Sequence, residues 1–156
     1  MQKKIKNREA LLSHGDIDGR KIVLDITEKT LQHLDAYERI KSIAHMEGDT
    51  LCIGSRRWDL SKKRNVYLLG AGKACNHMAM AGDEILGDHL TRGIAIVKIK
   101  EDTDVFRKTD VYVGGHPLPN EEGLRACKEI IKLVDSANED DLFIVVISGG
   151  SSALMS

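Results

Sequence analysis

The sequence predicts an α/β protein: a Rossmann-like open, mainly parallel sheet with helices on both faces, preceded by N-terminal helices and a short β-hairpin. Three observations lead there. Past residue 65, short apolar runs alternate with stretches of helical period in the order strand, helix, strand, strand, helix, strand. Two of the runs, Val66-Tyr-Leu-Leu69 and Leu142-Phe-Ile-Val-Val-Ile147, are nearly continuous in apolar residues, as strands covered on both faces are. Both run into glycine-rich loops, and the connections in such an alternation are right-handed crossovers.

A chain of 156 residues fits one domain, and a domain of that size buries roughly two thirds of its unfolded surface. With 23 basic against 24 acidic residues the net charge is −1, which gives no electrostatic footprint for nucleic acid or an anionic membrane. Cys52, Cys75 and Cys127 are odd in number and far apart, so they form neither a disulfide framework nor a C-x-x-C site. A reducing cytoplasm is the expected setting. The charged N-terminus runs into no signal-peptide apolar core, and the longest apolar run, Leu142–Ile147, is too short to span a bilayer.

Taken in order, residues 3–13 read as a short helix anchored by Ile5, Leu11 and Leu12. A second helix starts at Asp16 or Asp18, with Val23, Ile26, Thr30 and Leu34 on one face. Asp35 and Glu38 have capping-box spacing, which starts a third helix running through Ile40 and Ile43 to about Met46. Thr50–Ile53 and residues 58–60 form a hairpin through the Gly54 turn, and residues 61–64 are a solvated basic loop. Strands are expected at 65–69, 93–98, 111–114 and 142–147, with helices at 74–86 and 121–134. Asn120 caps the last of these, whose apolar face is expected to be Leu124, Cys127, Ile131 and Val134.

Three loops follow strand ends: Gly70-Ala-Gly-Lys73, Gly114-Gly-His-Pro-Leu-Pro-Asn120 and Ser148-Gly-Gly-Ser-Ser152. Open α/β sheets bind ligands at that edge, where the strand order reverses, so the strands ending at Gly70 and Ile147 should be neighbours. The first loop is no P-loop, because Tyr67 and Ala74 stand where glycine and a hydroxyl are needed. It is no dinucleotide fingerprint either, because Cys75 replaces the third glycine. What remains is a short turn, with Gly70 and Gly72 permitting close backbone approach and Lys73 supplying a positive charge, or an ordinary strand-to-helix turn. Ser148, Gly149, Gly150, Ser151 and Ser152 have the composition of an anion-binding nest. His116, between Gly115 and Pro117, could donate to a substrate or tie its own loop to backbone. His77 reads as packing or solvent. His14, His33, His45 and His89 have no metal-ligand spacing, so no metal site is expected.

These three blocks, in this order and at this spacing, resemble the N-terminal portion of the glycerate 2-kinase family, whose C-terminal half is the MOFRL domain. The resemblance implies a cytoplasmic enzyme that uses ATP and Mg²⁺ to phosphorylate the 2-hydroxyl of D-glycerate in a cleft between two domains. It makes Lys73 the catalytic lysine and residues 148–152 a substrate- or phosphate-binding segment. The partners it implies are glycerate and a nucleotide, and it is compatible with a homodimer. Ser151 stands where the family commonly has a third glycine, and family members are considerably longer. The expectation is therefore an N-terminal part holding half a site and inactive alone, with residues 152–156 frayed unless packing holds them. The alternatives are a non-catalytic module binding a sugar phosphate or small acid, and a hydroxypyruvate reductase, which the failed dinucleotide fingerprint disfavours.

Overall fold

The computed structural model describes residues 3–155. It opens with a single helical turn, Arg8–Leu11 (α1), and two helices, Ile17–His33 (α2) and Ala36–Ile43 (α3). Asp16 caps α2 by accepting from the Gly19 N–H at 3.1 Å, and Asp35 caps α3 by accepting from the N–H groups of Tyr37 and Glu38. The expected helix over 3–13 is thus reduced to four residues. Lys4 and Ile5 instead donate their N–H groups to the Glu28 carboxylate on α2, a non-helical use of that backbone. The expected face of α2 is also corrected, since Val23, Ile26 and Leu34 are all more than half exposed.

Three short strands follow, Ala44–Glu47 (β1), Thr50–Ile53 (β2) and Arg56–Asp59 (β3), in an antiparallel sheet of order β1-β2-β3. The hairpin forms as expected but with a tighter turn, so that Arg56 and Arg57 join its second strand and Leu60 leaves it, while the third helix ends at Ile43 and residues 44–47 are a strand. The reason is tertiary. The Gly54 N–H donates to the Ile43 carbonyl, and Ala44 then pairs with Ile53, giving the backbone a ladder in place of another helical turn. Met46 packs on the core from the strand, the inward position that helical spacing also suggests for it.

The remainder is the α/β unit. Its elements are Val66–Gly72 (β4), Cys75–Leu86 (α4), Arg92–Val97 (β5), Thr109–Val113 (β6), Glu121–Asp135 (α5), Leu142–Ile147 (β7) and the single turn Ser151–Leu154 (α6). The four strands are all parallel in the order β6-β5-β4-β7, so the fold class read from the sequence holds. Every residue of β4 is buried, as befits a central strand. Its alternate residues face two cores: Val66 and Leu68 pack with Cys75, Ala79 and Leu86 of α4 and with Leu51, while Leu69 and Ala71 pack with Ala126 and Ile130 of α5 and with Leu154.

On α5 the helix and its Asn120 cap are as expected, the cap accepting from the Gly123 N–H at 2.9 Å, but the inward face is not. Gly123, Ala126 and Ile130 are buried, whereas Leu124, Ile131 and Val134 are 45–58% exposed. Small residues let the helix lie close to the final turn: a Cβ on Gly123 would stand 2.8 Å from the Leu154 carbonyl of α6. Leu154 itself is fully buried, so packing secures the final turn against the fraying expected of so short a helix; Ser156 lies outside the described residues. Among the described residues, no helix is long and apolar enough to cross a membrane.

Candidate functional site

The strand order reverses between β4 and β7. From β4 the chain steps through β5 to β6, then returns across the opposite face of the sheet to lay β7 on the other side of β4. The crevice at their carboxyl ends is the switch point where open α/β sheets take ligands. β4 and β7 are hydrogen-bonded neighbours, as the sequence requires for one shared site, and Gly70 lies opposite Val146.

Three contacts fasten the first loop to the third. Ser148 N–H donates to the Ala71 carbonyl at 3.0 Å, Lys73 N–H donates to the Gly149 carbonyl at 3.0 Å, and Ala74 N–H donates to Ser148 Oγ at 3.0 Å. Gly72 makes this closeness possible. It has φ of 135°, and a Cβ there would lie 2.1 Å from Ser148 Oγ and 2.6 Å from the Ser148 carbonyl oxygen. Gly70 lies within β4, where a Cβ would come 2.5 Å from Cys75 Sγ. These two glycines serve the approach of chain to chain, and Ser148 spends an Oγ lone pair on the same joint.

The second loop joins them at Gly150. That residue has φ of 89°, and a Cβ on it would stand 3.1 Å from His116 Nε2 and 3.3 Å from Lys73 Cε. Lys73, His116 and residues 148–152 therefore meet at one point, as the three motifs suggested. The His116–Pro117 peptide is cis, and the loop is bolted down at its end: Asn120 Nδ2 donates to the Val113 carbonyl, and the Val113 N–H donates to Glu122. His116 is half-buried, while Lys73 is exposed with no carboxylate within ion-pair reach among the described residues.

The chemistry on offer is that of an anion site. Lys73 supplies an unpaired cation, the imidazole a second donor, and the N–H groups of Gly149, Gly150, Ser151 and Ser152 have no acceptor among the described residues. Cys75, the first residue of α4, is no nucleophile, since burial pushes its thiol up to about 12. A separate cleft of about 330 Å³ is lined by Lys4, Asp35, Tyr37, His77, Glu101 and Asp104 among others, and by none of the residues of the three loops. Sequence reasoning missed Asp83, which is buried in α4 and accepts from the N–H groups of Arg107 and Lys108 and the Thr109 hydroxyl. It anchors the segment that leads into β6; its position between Ala79 and Leu86 on the apolar face of the helix was its sequence signal.

Comparison with known proteins bears on the family and the fold. A family model described as a domain of unknown function, DUF4147, matches residues 22–156. The chain is 28% identical over 138 residues to a glycerate 2-kinase of Pyrococcus horikoshii, covering 88% of this chain and 30% of the relative. A crystal structure of a Pyrococcus horikoshii OT3 protein matches at a TM-score of 0.72 and 28% identity, over 90% of this chain and 31% of that one. The crystal structure of a glycerate kinase from Thermotoga maritima matches at 0.61 and 25% identity, over 86% and 29%. This chain thus spans about 30% of the length of these relatives, as the resemblance to an N-terminal portion of glycerate 2-kinases implies. With 135 of its 156 residues matched by the family model, the chain belongs to the DUF4147 family.

Proposed function

We propose that this chain supplies the lysine-bearing half of a glycerate kinase site, in which the γ-phosphate of ATP passes to the 2-hydroxyl of D-glycerate to give 2-phosphoglycerate. One observation carries the reading: Lys73 and His116 converge on the Gly150 backbone at the switch point between β4 and β7. Phosphoryl transfer asks a protein mainly for positioning and charge stabilisation. Lys73 would stabilise charge on the transferring group or orient the acceptor, His116 would donate to a substrate oxygen, and the N–H groups of residues 149–152 would hold phosphate or carboxylate. The three loops contain no carboxylate and so do not fit Mg²⁺, which takes one or two carboxylates besides phosphate oxygens.

Because the chain spans about 30% of its relatives, turnover is proposed for a protein in which this segment is joined to the remainder that they carry, and not for the segment alone. The test is a chimera in which residues 1–155 replace the matching segment of the Pyrococcus horikoshii glycerate 2-kinase. ATP-dependent formation of 2-phosphoglycerate is expected, falling by about 10²-fold or more in Lys73→Ala, as when one preorganised charge-stabilising donor is removed. A folded chimera with no such activity, or one indifferent to Lys73→Ala, sinks the reading. The nest in residues 148–152 also supports the non-catalytic alternative; thermal stabilisation of the chain alone by a sugar phosphate but not by ATP would favour it.

A further inference from the structure

The three-stranded sheet carries a group of side chains that the kinase reading leaves unused. β1 and β2 pair so that His45 lies directly across from Cys52, and Glu47, two residues along β1, shares their face. Among the described residues these are the three His, Cys or acidic side chains whose ligand atoms gather most closely: an imidazole nitrogen, a carboxylate oxygen and the Cys52 sulfur lie within 4.8 Å of one another. His45 Nε2 stands 3.2 Å from Glu47 Oε1. Two ligands on a tetrahedral zinc at about 2.0 Å each are roughly 3.3 Å apart, so the spacing of this hydrogen-bonded pair matches an edge of a coordination tetrahedron, the metal taking the place of the shared proton. Cys52 sits on the buried floor of the group, with His45 and Glu47 exposed above it.

We propose that His45, Glu47 and Cys52 form a binding site for a divalent metal of the zinc class, with the fourth position left to water. Imidazole and thiolate together select such metals over Mg²⁺ and Ca²⁺, which prefer all-oxygen sites. The ligands come from two strands, so the metal would cross-link β1 to β2. One neighbour opposes binding: Arg57, directly across from Cys52 on β3, is ion-paired with Glu47 and brings a positive charge to the site. A metal would have to displace that guanidinium, which makes Arg57 a built-in competitor whose removal should tighten binding.

Cobalt(II) titration of the metal-stripped chain tests this, because Co²⁺ takes zinc sites and reports thiolate ligation by an ultraviolet charge-transfer band. One equivalent of Co²⁺ should raise that band, and Zn²⁺ should then abolish it. The band should disappear in Cys52→Ser and persist in Cys127→Ser. Should Cys52→Ser misfold, the exposed pair decides: His45→Ala and Glu47→Ala should each weaken binding by about tenfold or more, and Arg57→Ala should strengthen it several-fold. No thiolate band, a band lost with Cys127, or affinity indifferent to His45→Ala and Glu47→Ala overturns the proposal.

Discussion

Gly72→Ala tests the joint on which the candidate site rests. Residue 72 has φ of 135°, a region an L side chain occupies at a cost of about 1–3 kcal/mol. The new methyl would also meet Ser148 Oγ at 2.1 Å and the Ser148 carbonyl oxygen at 2.6 Å. The hydroxyl can rotate away, but the carbonyl belongs to a backbone whose N–H is bonded to Ala71, so β7 and its loop must shift. Overpacking of that kind costs about 1–3 kcal/mol more, for a total of roughly 2–6 kcal/mol. For a chain of this length that lowers Tm by roughly 4–24 °C. Gly149→Ala is the matched control: nothing lies within 4 Å of its Cβ position, and the change should stay within about 0.5 kcal/mol of wild type. Urea denaturation followed by far-ultraviolet circular dichroism measures both. Equal stabilities for the two variants would refute the close approach of β4 to residues 148–152, and with it the geometry of the site.

Asp83→Ala should destabilise by about 2–4 kcal/mol, because two N–H groups and a hydroxyl in the segment leading into β6 lose their acceptor; hydrogen exchange at Arg107 and Lys108 should rise in the same variant. Leu154→Ala removes a fully buried side chain from the core under α5 and should cost about 2–5 kcal/mol, read from the urea midpoint. Arg64 beside Asp141, helped by the Asn138 N–H and Asn65, holds that carboxyl well below the usual carboxylate range. A depressed native pKa stabilises above the unfolded value of about 3.9 and is lost as pH falls below it towards the native one, so Arg64→Ala should flatten the acid limb of the stability profile. An Asp141 titration by NMR unchanged in that variant would contradict the assignment.

Much of the fold was legible because its signals are local. The strand at Leu142–Ile147 and the Asn120 and Asp35 caps each rest on a few consecutive residues, and each stands where the sequence puts it. The three loop motifs could be assigned to one edge because a parallel sheet puts all its strand ends there. The misreadings share one cause, which is that hydrophobic spacing marks residues able to be buried without saying which of them will be, or against what. Ile40, Ile43 and Met46 fit a helix by spacing, yet pairing with β2 draws residues 44–47 into a strand. The same misreading hid the grouping of His45, Glu47 and Cys52, since these residues meet across a β ladder. On α5, close approach to the sheet favoured Gly123, Ala126 and Ile130 and left the larger Leu124, Ile131 and Val134 outside.

The sequence alone thus determined the fold class, the identity of the loops and the family to which their motifs point, because periodicity, turn chemistry and motif spacing are properties of neighbouring residues. Tertiary structure decided the full strand order β6-β5-β4-β7, that Gly72 meets Ser148 and Gly150 meets His116, and that Lys73 and His116 share one backbone turn. Those facts depend on which distant segments exclude water and satisfy hydrogen bonds together, and only the packed chain settles that.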